Sequence, residues 1–396
     1  MSTETAVRAT AVKAPESVAA PAERLQSLDI FRGLTIAGMI LVNNNGDSSA
    51  AYWPLEHSAW NGWTPTDLVF PFFLFIVGVS MVYSFRARLS RGESRHAILL
   101  HALRRAIILF AIGVLVINSF PGGYNLSHIR IYGVLQRIAI CYLVAAVFVL
   151  WSSVRVEIVA VAACLIGYWI LMRHVWVPGF GIPGRDIPLL DPDRNLVAWL
   201  DRKLLMGHLY EGTRDPEGLL STIPAVGTAL LGVLTGEWLR SNRSTRSKAW
   251  GMVIFGLIGL AAGKFWNIWF PINKKLWTSS FVLFTAGFAL VLLALCYWLC
   301  DVRKSRGRWG LPALVFGMNA IAAYVLSEVL ASTLGSVHFR SSGADNSLRA
   351  IIYRHVFTSP GAAPSANASL AYSISFVLVC WLVMWWFYRR KIFLKI

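Results

Sequence analysis

Ten runs of roughly twenty mainly apolar residues recur along this 396-residue chain, at about 27–45, 67–85, 98–117, 132–151, 155–173, 220–239, 248–266, 277–299, 311–331 and 371–389. A bilayer core takes about 20 helical residues to cross, and backbone groups inside it must pair within their own segment. The pattern therefore predicts an all-α fold, a polytopic transmembrane helical bundle of about ten spans. Composition agrees. The chain is 56% hydrophobic and only 14% charged, against roughly 25% charged in soluble domains. A soluble fold this apolar would expose adhesive patches.

The net charge of +17 raises the question of nucleic acid, and position answers it. Basic residues gather in short connectors: Arg86, Arg88, Arg91 and Arg95; Arg240, Arg243, Arg246 and Lys248; Arg303, Lys304, Arg306 and Arg308; Arg389, Arg390, Lys391 and Lys395. These fall on every second connector, which is the positive-inside pattern rather than a groove-binding face. The tail, the 86–97, 152–155, 240–248 and 301–310 connectors and the C-terminus are thus expected in the cytoplasm. The 45–66, 118–131, 174–219, 264–276 and 332–370 loops are expected outside. No nucleic-acid partner is expected, and the bilayer itself is one partner. Residues 1–23, rich in Ala, Thr, Ser and Pro, read as a disordered cytoplasmic tail rather than a signal peptide; residues 24–396 read as one transmembrane domain. The five cysteines sit inside apolar runs and read as packing residues. No zinc motif, phosphate loop or nucleophile elbow occurs, and no metal is expected.

The polar residues are unevenly placed. The segment NNNGDSSAAYWPLEHSAWNGWTPTD, residues 43–67, joins the first two runs without a single Lys or Arg. It carries Asn43, Glu56, His57, Asn61 and Asp67. A histidine titrates near neutrality, the property a general base needs; the alternative is a loop histidine bonded to a backbone carbonyl. Glu56 is a candidate partner for orienting it. Asn43 falls where the first helix ends. Thr64-Pro65-Thr66-Asp67 has the spacing of a capping box, and a helix N-terminus there would favour an anion.

Further candidates lie elsewhere. Arg137 is about two turns into the fourth run, where charge is expensive and defaults to function; its partner is an anionic ligand, Asp29 or another buried acid. Asp29 and Arg32 are three residues apart and share a helix face. Arg104 and Arg105 sit near the cytoplasmic end of the third run, where snorkelling anchors are common. Glu217 precedes the sixth run. Asn273, Lys274 and Lys275 form a polar turn before the eighth.

LDIFRGLTIAGMILVN, EHSAWNGWTPTDLVFPFFLFIVGVSM, IRIYGVLQRIAICYL, DPEGLLSTIPAVGTALLGVLTG, FPINKKLWTSSFV and GMNAIAAYV occur in that order. Together they resemble the heparan-α-glucosaminide N-acetyltransferase family and its bacterial multi-span relatives, over about residues 24–390. The resemblance implies a membrane acyltransferase domain that uses acetyl-CoA as co-substrate and acetylates the amine of a terminal glucosamine. It places the catalytic histidine at His57 and the active-site asparagine at Asn43. A family histidine in the ninth run is replaced by Ser327, with Glu328 kept, and the lumenal N-terminal domain of the animal enzymes is not matched. Glu56, Asn61, Asp67, Glu217, Asn273 and Lys274 are then candidate acceptor contacts. Arg32, Arg104, Arg105 and Arg137 are candidate holders of the donor's phosphates.

The expected protein is an N-acetyltransferase of the bacterial inner membrane acting on an amino sugar or glycan, with a homodimer left open. The rivals are an O-acetyltransferase of periplasmic glycans and an amino-sugar transporter without chemistry.

Overall fold

Two kinds of helix build the protein: those apolar because protein surrounds them and those apolar because lipid does. In the computed structural model the described residues are 25–120, 125, 127–304, 310–339, 347–359, 361, 363 and onward to 394. The tail at residues 1–23, with Arg306, Arg308 and Lys395, lies outside them. The helices are α1 Gln26–Asn43, α2 Val69–Ser90, α3 Arg95–Ile112, α4 Val134–Trp151, α5 Val154–His174, α6 Leu196–Leu205, α7 Thr222–Arg240, α8 Thr245–Trp266, α9 Ser279–Tyr297, α10 Leu311–Met318, α11 Ala320–Ser336, α12 Leu348–Ile352 and α13 Ala366–Arg389. Among the described residues there is no strand beyond isolated bridges.

Among the described residues eight helices are long and apolar enough to cross a membrane, and α10 with α11 makes a ninth if the bent pair is one span. The chain is therefore a multi-pass membrane protein. The first expected span is α1, 18 residues long and carrying Asp29 and Arg32, and it is not among those eight. The spans through α2 and α7 are each 72% buried, whereas those through α3, α5 and α8 are each 22% buried. The first two form the centre and the other three face the surroundings. An apolar helix without a polar stripe is compatible with either position, because lipid tails are as apolar as leucine.

Glycines set the closest crossings. A Cβ added at Gly78 on α2 would lie 2.0 Å from the Ala229 carbonyl oxygen on α7, and one at Gly232 would lie 2.1 Å from that of Phe75. The same device joins α1 to α10, where a Cβ at Gly33 would lie 1.7 Å from the Ala313 oxygen and one at Gly317 would lie 1.9 Å from that of Asp29. Small residues let transmembrane backbones meet where larger side chains would hold them apart.

The expected ninth span, 311–331, is corrected. It breaks after Met318 with an 84° bend, and its second arm runs to Ser336. The break frees backbone groups that need partners. Asn319 stands at the break; its amide donates to the Ile392 carbonyl at 3.1 Å and its Oδ1 accepts from the Leu394 N–H at 2.9 Å. The returning chain end thus ties down the break. Two further runs end in a turn of π-helix, Gly113–Ile117 after α3 and Trp298–Val302 after α9.

Candidate active site

The loop from α1 to α2 is organised by a carboxylate. Asp67 and Thr64 form the capping box expected from their spacing, opening the short helical turn Pro65–Leu68 that leads into α2. The Asp67 Oδ2 accepts the Thr64 N–H at 3.0 Å and the Ser58 N–H at 3.0 Å. Its Oδ1 lies 2.7 Å from His57 Nδ1. Asp67 is 1% exposed while the His57 side chain is 47% exposed. A buried carboxylate holding two backbone donors can only accept, so Nδ1 carries the imidazole proton and Nε2 presents its lone pair. Asp67 is both cap and orienting group. Glu56, expected in the orienting role, is exposed and does not line the cavity; its carbonyl oxygen accepts the Thr64 hydroxyl.

The turn between α8 and α9 is zipped to this loop. The Gly62 N–H donates to the Ile272 carbonyl at 2.8 Å, and Asn273 Nδ2 donates to Asn61 Oδ1 at 3.2 Å. Buried Asn273 also accepts the Leu276 N–H at 2.9 Å. Asn61 and Asn273, both expected to touch the acceptor, fix the two loops to each other and do not line the cavity. Their neighbour Lys274 does reach the cavity. Its Nζ lies 3.0 Å from His57 Nδ1, 3.3 Å from Nε2 and 3.7 Å from Asp67 Oδ1. Burial pushes the Lys274 ammonium below its ordinary value, and Asp67 partly opposes that shift.

His57, Asp67 and Lys274 form one wall of a cavity of about 720 Å³ that Asn43, Arg130, Glu211, Glu217 and Glu328 also line. Asn43 is the last residue of α1, and its amide nitrogen lies 3.4 Å from Glu328 Oε1 on α11. Arg130 reaches in from the α3–α4 connection. It clasps Asp215 at 2.9 and 2.7 Å and Glu217 at 2.5 Å, with Tyr210 stacked 4.4 Å from its guanidinium carbon. These acids raise its already high pKa further against the cost of burial. Glu217 therefore meets the cavity as the partner of a cation. The long α5–α7 connection drapes over this end of the bundle, pinned where Trp60 Nε1 donates to the Leu190 carbonyl at 2.7 Å and Lys275 meets Glu211 at 2.9 Å. Sequence reasoning passed over Arg130, Glu211 and Lys275 as cavity residues. Arg130 did carry a signal, as an isolated arginine in a loop assigned to the side that disfavours basic residues.

The four arginines expected at donor phosphates do not line this cavity. Arg137 is 1% exposed. It donates to the Gly218 carbonyl and the Ser221 hydroxyl and lies 5.0 Å from the Trp277 ring centre. Its Nε and Nη1 are enclosed without a hydrogen bond. Asp29 is not its counter-ion, because Asp29 pairs with Arg32 at 3.0 Å. Arg32 further contacts Ser80 at 2.6 Å and the Gly317 carbonyl at 3.3 Å. Arg105 lies over Tyr142, and Arg104 is exposed on α3. Among the described residues no group of three His, Cys, Asp or Glu is placed to hold a metal ion.

The chain is similar to known proteins. The sequence profile described as "Heparan-alpha-glucosaminide N-acetyltransferase, catalytic" matches residues 24–271. The curated heparan-alpha-glucosaminide N-acetyltransferase of Mus musculus is 34% identical over 368 residues, covering 80% of this chain and 55% of the mouse protein. That of Homo sapiens is 33% identical over 358 residues, covering 77% of this chain and 53% of the human protein. The chain thus spans about half the length of the curated relatives it matches.

Proposed function

The chain belongs to the heparan-alpha-glucosaminide N-acetyltransferase catalytic family, and from that premise we propose that it moves an acetyl group from acetyl-CoA to the amine of a glucosamine-type sugar. The observation that carries this reading is the 2.7 Å contact between His57 Nδ1 and Asp67 at the edge of a polar cavity. It leaves Nε2 ready to accept a proton, as a base oriented by a carboxylate does.

An amino sugar is nucleophilic only as the free amine. His57 Nε2 accepts a proton from the amine nitrogen as the C–N bond forms. It returns that proton to the departing thiolate as the C–S bond breaks. The Lys274 ammonium, 3.0 Å from the same ring, sets a positive charge beside the place where negative charge develops during attack. Asn43, held at Glu328, donates its amide N–H to the oxygen that becomes negative during attack. Glu328 gives the cavity a carboxylate that attracts the amino sugar, while Glu211 and Glu217 are already paired with Lys275 and Arg130. The charge asymmetry of the connectors supports a bacterial cell membrane with the cavity on its outer side. The donor then comes from the cytoplasmic side, where Arg32, Arg104 and Arg105 remain the candidates for its phosphates. Arg137, being enclosed, serves the fold of residues 218–221 instead.

The test is direct. Purified protein with acetyl-CoA and glucosamine should yield N-acetylglucosamine, and His57→Ala should lower turnover by roughly 10²–10⁴-fold. Blocking the amine should abolish acetylation. Product formed with the amine blocked would assign a hydroxyl acceptor, and full turnover in His57→Ala would remove His57 from the chemistry.

A further inference from the structure

A second concavity lies away from the cavity, on the flank where α5 and α8 end. It has a volume of about 590 Å³, and its lining includes Trp169, Arg173, His174, Phe265, Trp266 and Trp269. All six lie in the last two turns of α5 or α8, or just beyond. The turn carrying Lys274 follows α8 directly, so this groove is at the same end of the bundle as His57. It opens on the least buried helices, with lipid-facing Phe265 and Trp269 exposed at its edge.

Three features of the groove go together. The first is charge. Arg173 donates to the Trp269 carbonyl at 3.2 Å. Among the described residues it has no carboxylate within ion-pair distance. No Asp or Glu lines the groove. The second is an unmet donor. The Trp169 Nε1–H is enclosed and makes no hydrogen bond, although buried indole N–H groups normally find an acceptor. The third is shape. Trp169 and Trp266 meet edge to face at 5.9 Å, and Phe265 and Trp269 at 4.8 Å, giving aromatic walls that continue to Leu283 lower on the flank.

A cation beside aromatic rings at a helix end, above an apolar wall, matches a molecule with an anionic head and a hydrocarbon tail. We propose that the groove between the ends of α5 and α8 is a binding site for one anionic phospholipid. Arg173 faces its phosphate, the Trp169 ring turns so that its N–H meets an oxygen of the head or glycerol ester, and the acyl chain runs along Phe265 and Leu283. A free phosphate would leave the aromatic walls unused. A zwitterionic lipid would bring a second cation up to Arg173.

The experiment uses the full chain, purified in detergent and stripped of lipid. Phosphatidylglycerol, phosphatidylcholine and inorganic phosphate are added back separately, and native mass spectrometry counts what stays bound. One phosphatidylglycerol per chain should be retained in preference to phosphatidylcholine. Arg173→Gln should weaken retention about fivefold, the effect of about one cationic contact, while Arg173→Lys keeps most of it. Trp169→Phe, which keeps the ring and removes the N–H, should also weaken it. Equal retention of phosphatidylcholine, binding of inorganic phosphate alone, or unchanged retention in both Arg173→Gln and Trp169→Phe would each overturn the proposal. The wild-type lipid comparison decides the matter even if a variant fails to fold.

Discussion

His57 and Asp67 face each other across 2.7 Å, and the carboxylate that grips the imidazole also closes the first turn before α2. One side chain therefore couples the candidate chemistry to the local fold. Asp67→Asn keeps the shape but puts an NH₂ where every neighbour is a donor. Turnover should fall roughly 10²–10⁴-fold, and unfolding should be easier by about 1–2 kcal/mol from the weakened cap. Kinetics and thermal melts of the same preparation separate the two effects. A lower melting point with normal kcat would reduce Asp67 to a cap.

Lys274 sets an alkaline limit. Burial lowers the pH at which it loses its proton, so activity that needs the ammonium should decline before the ordinary lysine range near ~10.4. In that window the unfolded chain holds the proton more tightly than the folded one. Folded stability should accordingly rise with pH as the ordinary lysine value is approached. A pH–rate profile of Lys274→Met should lose the alkaline limb. A limb at the same position in that variant assigns it to another group.

Arg137 distinguishes fold from donor binding. It ties residues 218–221 to α4, next to Glu217, which Arg130 holds. Arg137→Met should lower kcat by roughly 10²-fold through misplacement of the cavity wall. KM for acetyl-CoA should stay within about twofold, since uniform donor binding is untouched. A large rise in that KM with kcat intact would return Arg137 to the donor's phosphates.

The α1–α10 crossing leaves no room for a methyl group. Gly33→Ala would set a Cβ 1.7 Å from the Ala313 carbonyl oxygen, and a loss of about 1–3 kcal/mol or more is expected. Gly167 on α5, with nothing within 4 Å of an added Cβ, is the control; there alanine should gain about 0.5–1 kcal/mol from helix propensity. Thermal unfolding in detergent measures both. Equal melting points would show that α1 and α10 can separate without cost.

The helices were legible because the bilayer demands long apolar runs, whatever those runs later touch. The break after Met318 was not. No proline marks it, and the groups that satisfy Asn319 come from Ile392 and Leu394, 73 and 75 residues away. The capping role of Asp67 could be read from Thr64 three residues earlier. Its grip on His57 could not, because a ten-residue separation inside a loop has no period. Glu56 drew attention only by adjacency, and adjacent side chains need not converge. Arg137 was visible as a charge inside an apolar run, but its partners lie 81 and 84 residues further on. Lys274 was legible as part of a polar turn and a candidate acceptor contact, but its place at the imidazole was not, because the zipper between Gly62 and Ile272 brings it there.

That zipper has a consequence for biogenesis. The histidine loop is synthesised early, yet the strands of chain that brace it arrive with Leu190 and then Ile272. A nascent polypeptide that has threaded only its first few helices carries its imidazole and its aspartate with no lysine beside them. Glu328, which holds Asn43, comes later still, on α11, so translation truncated before that helix should leave an inserted product whose cavity is incomplete.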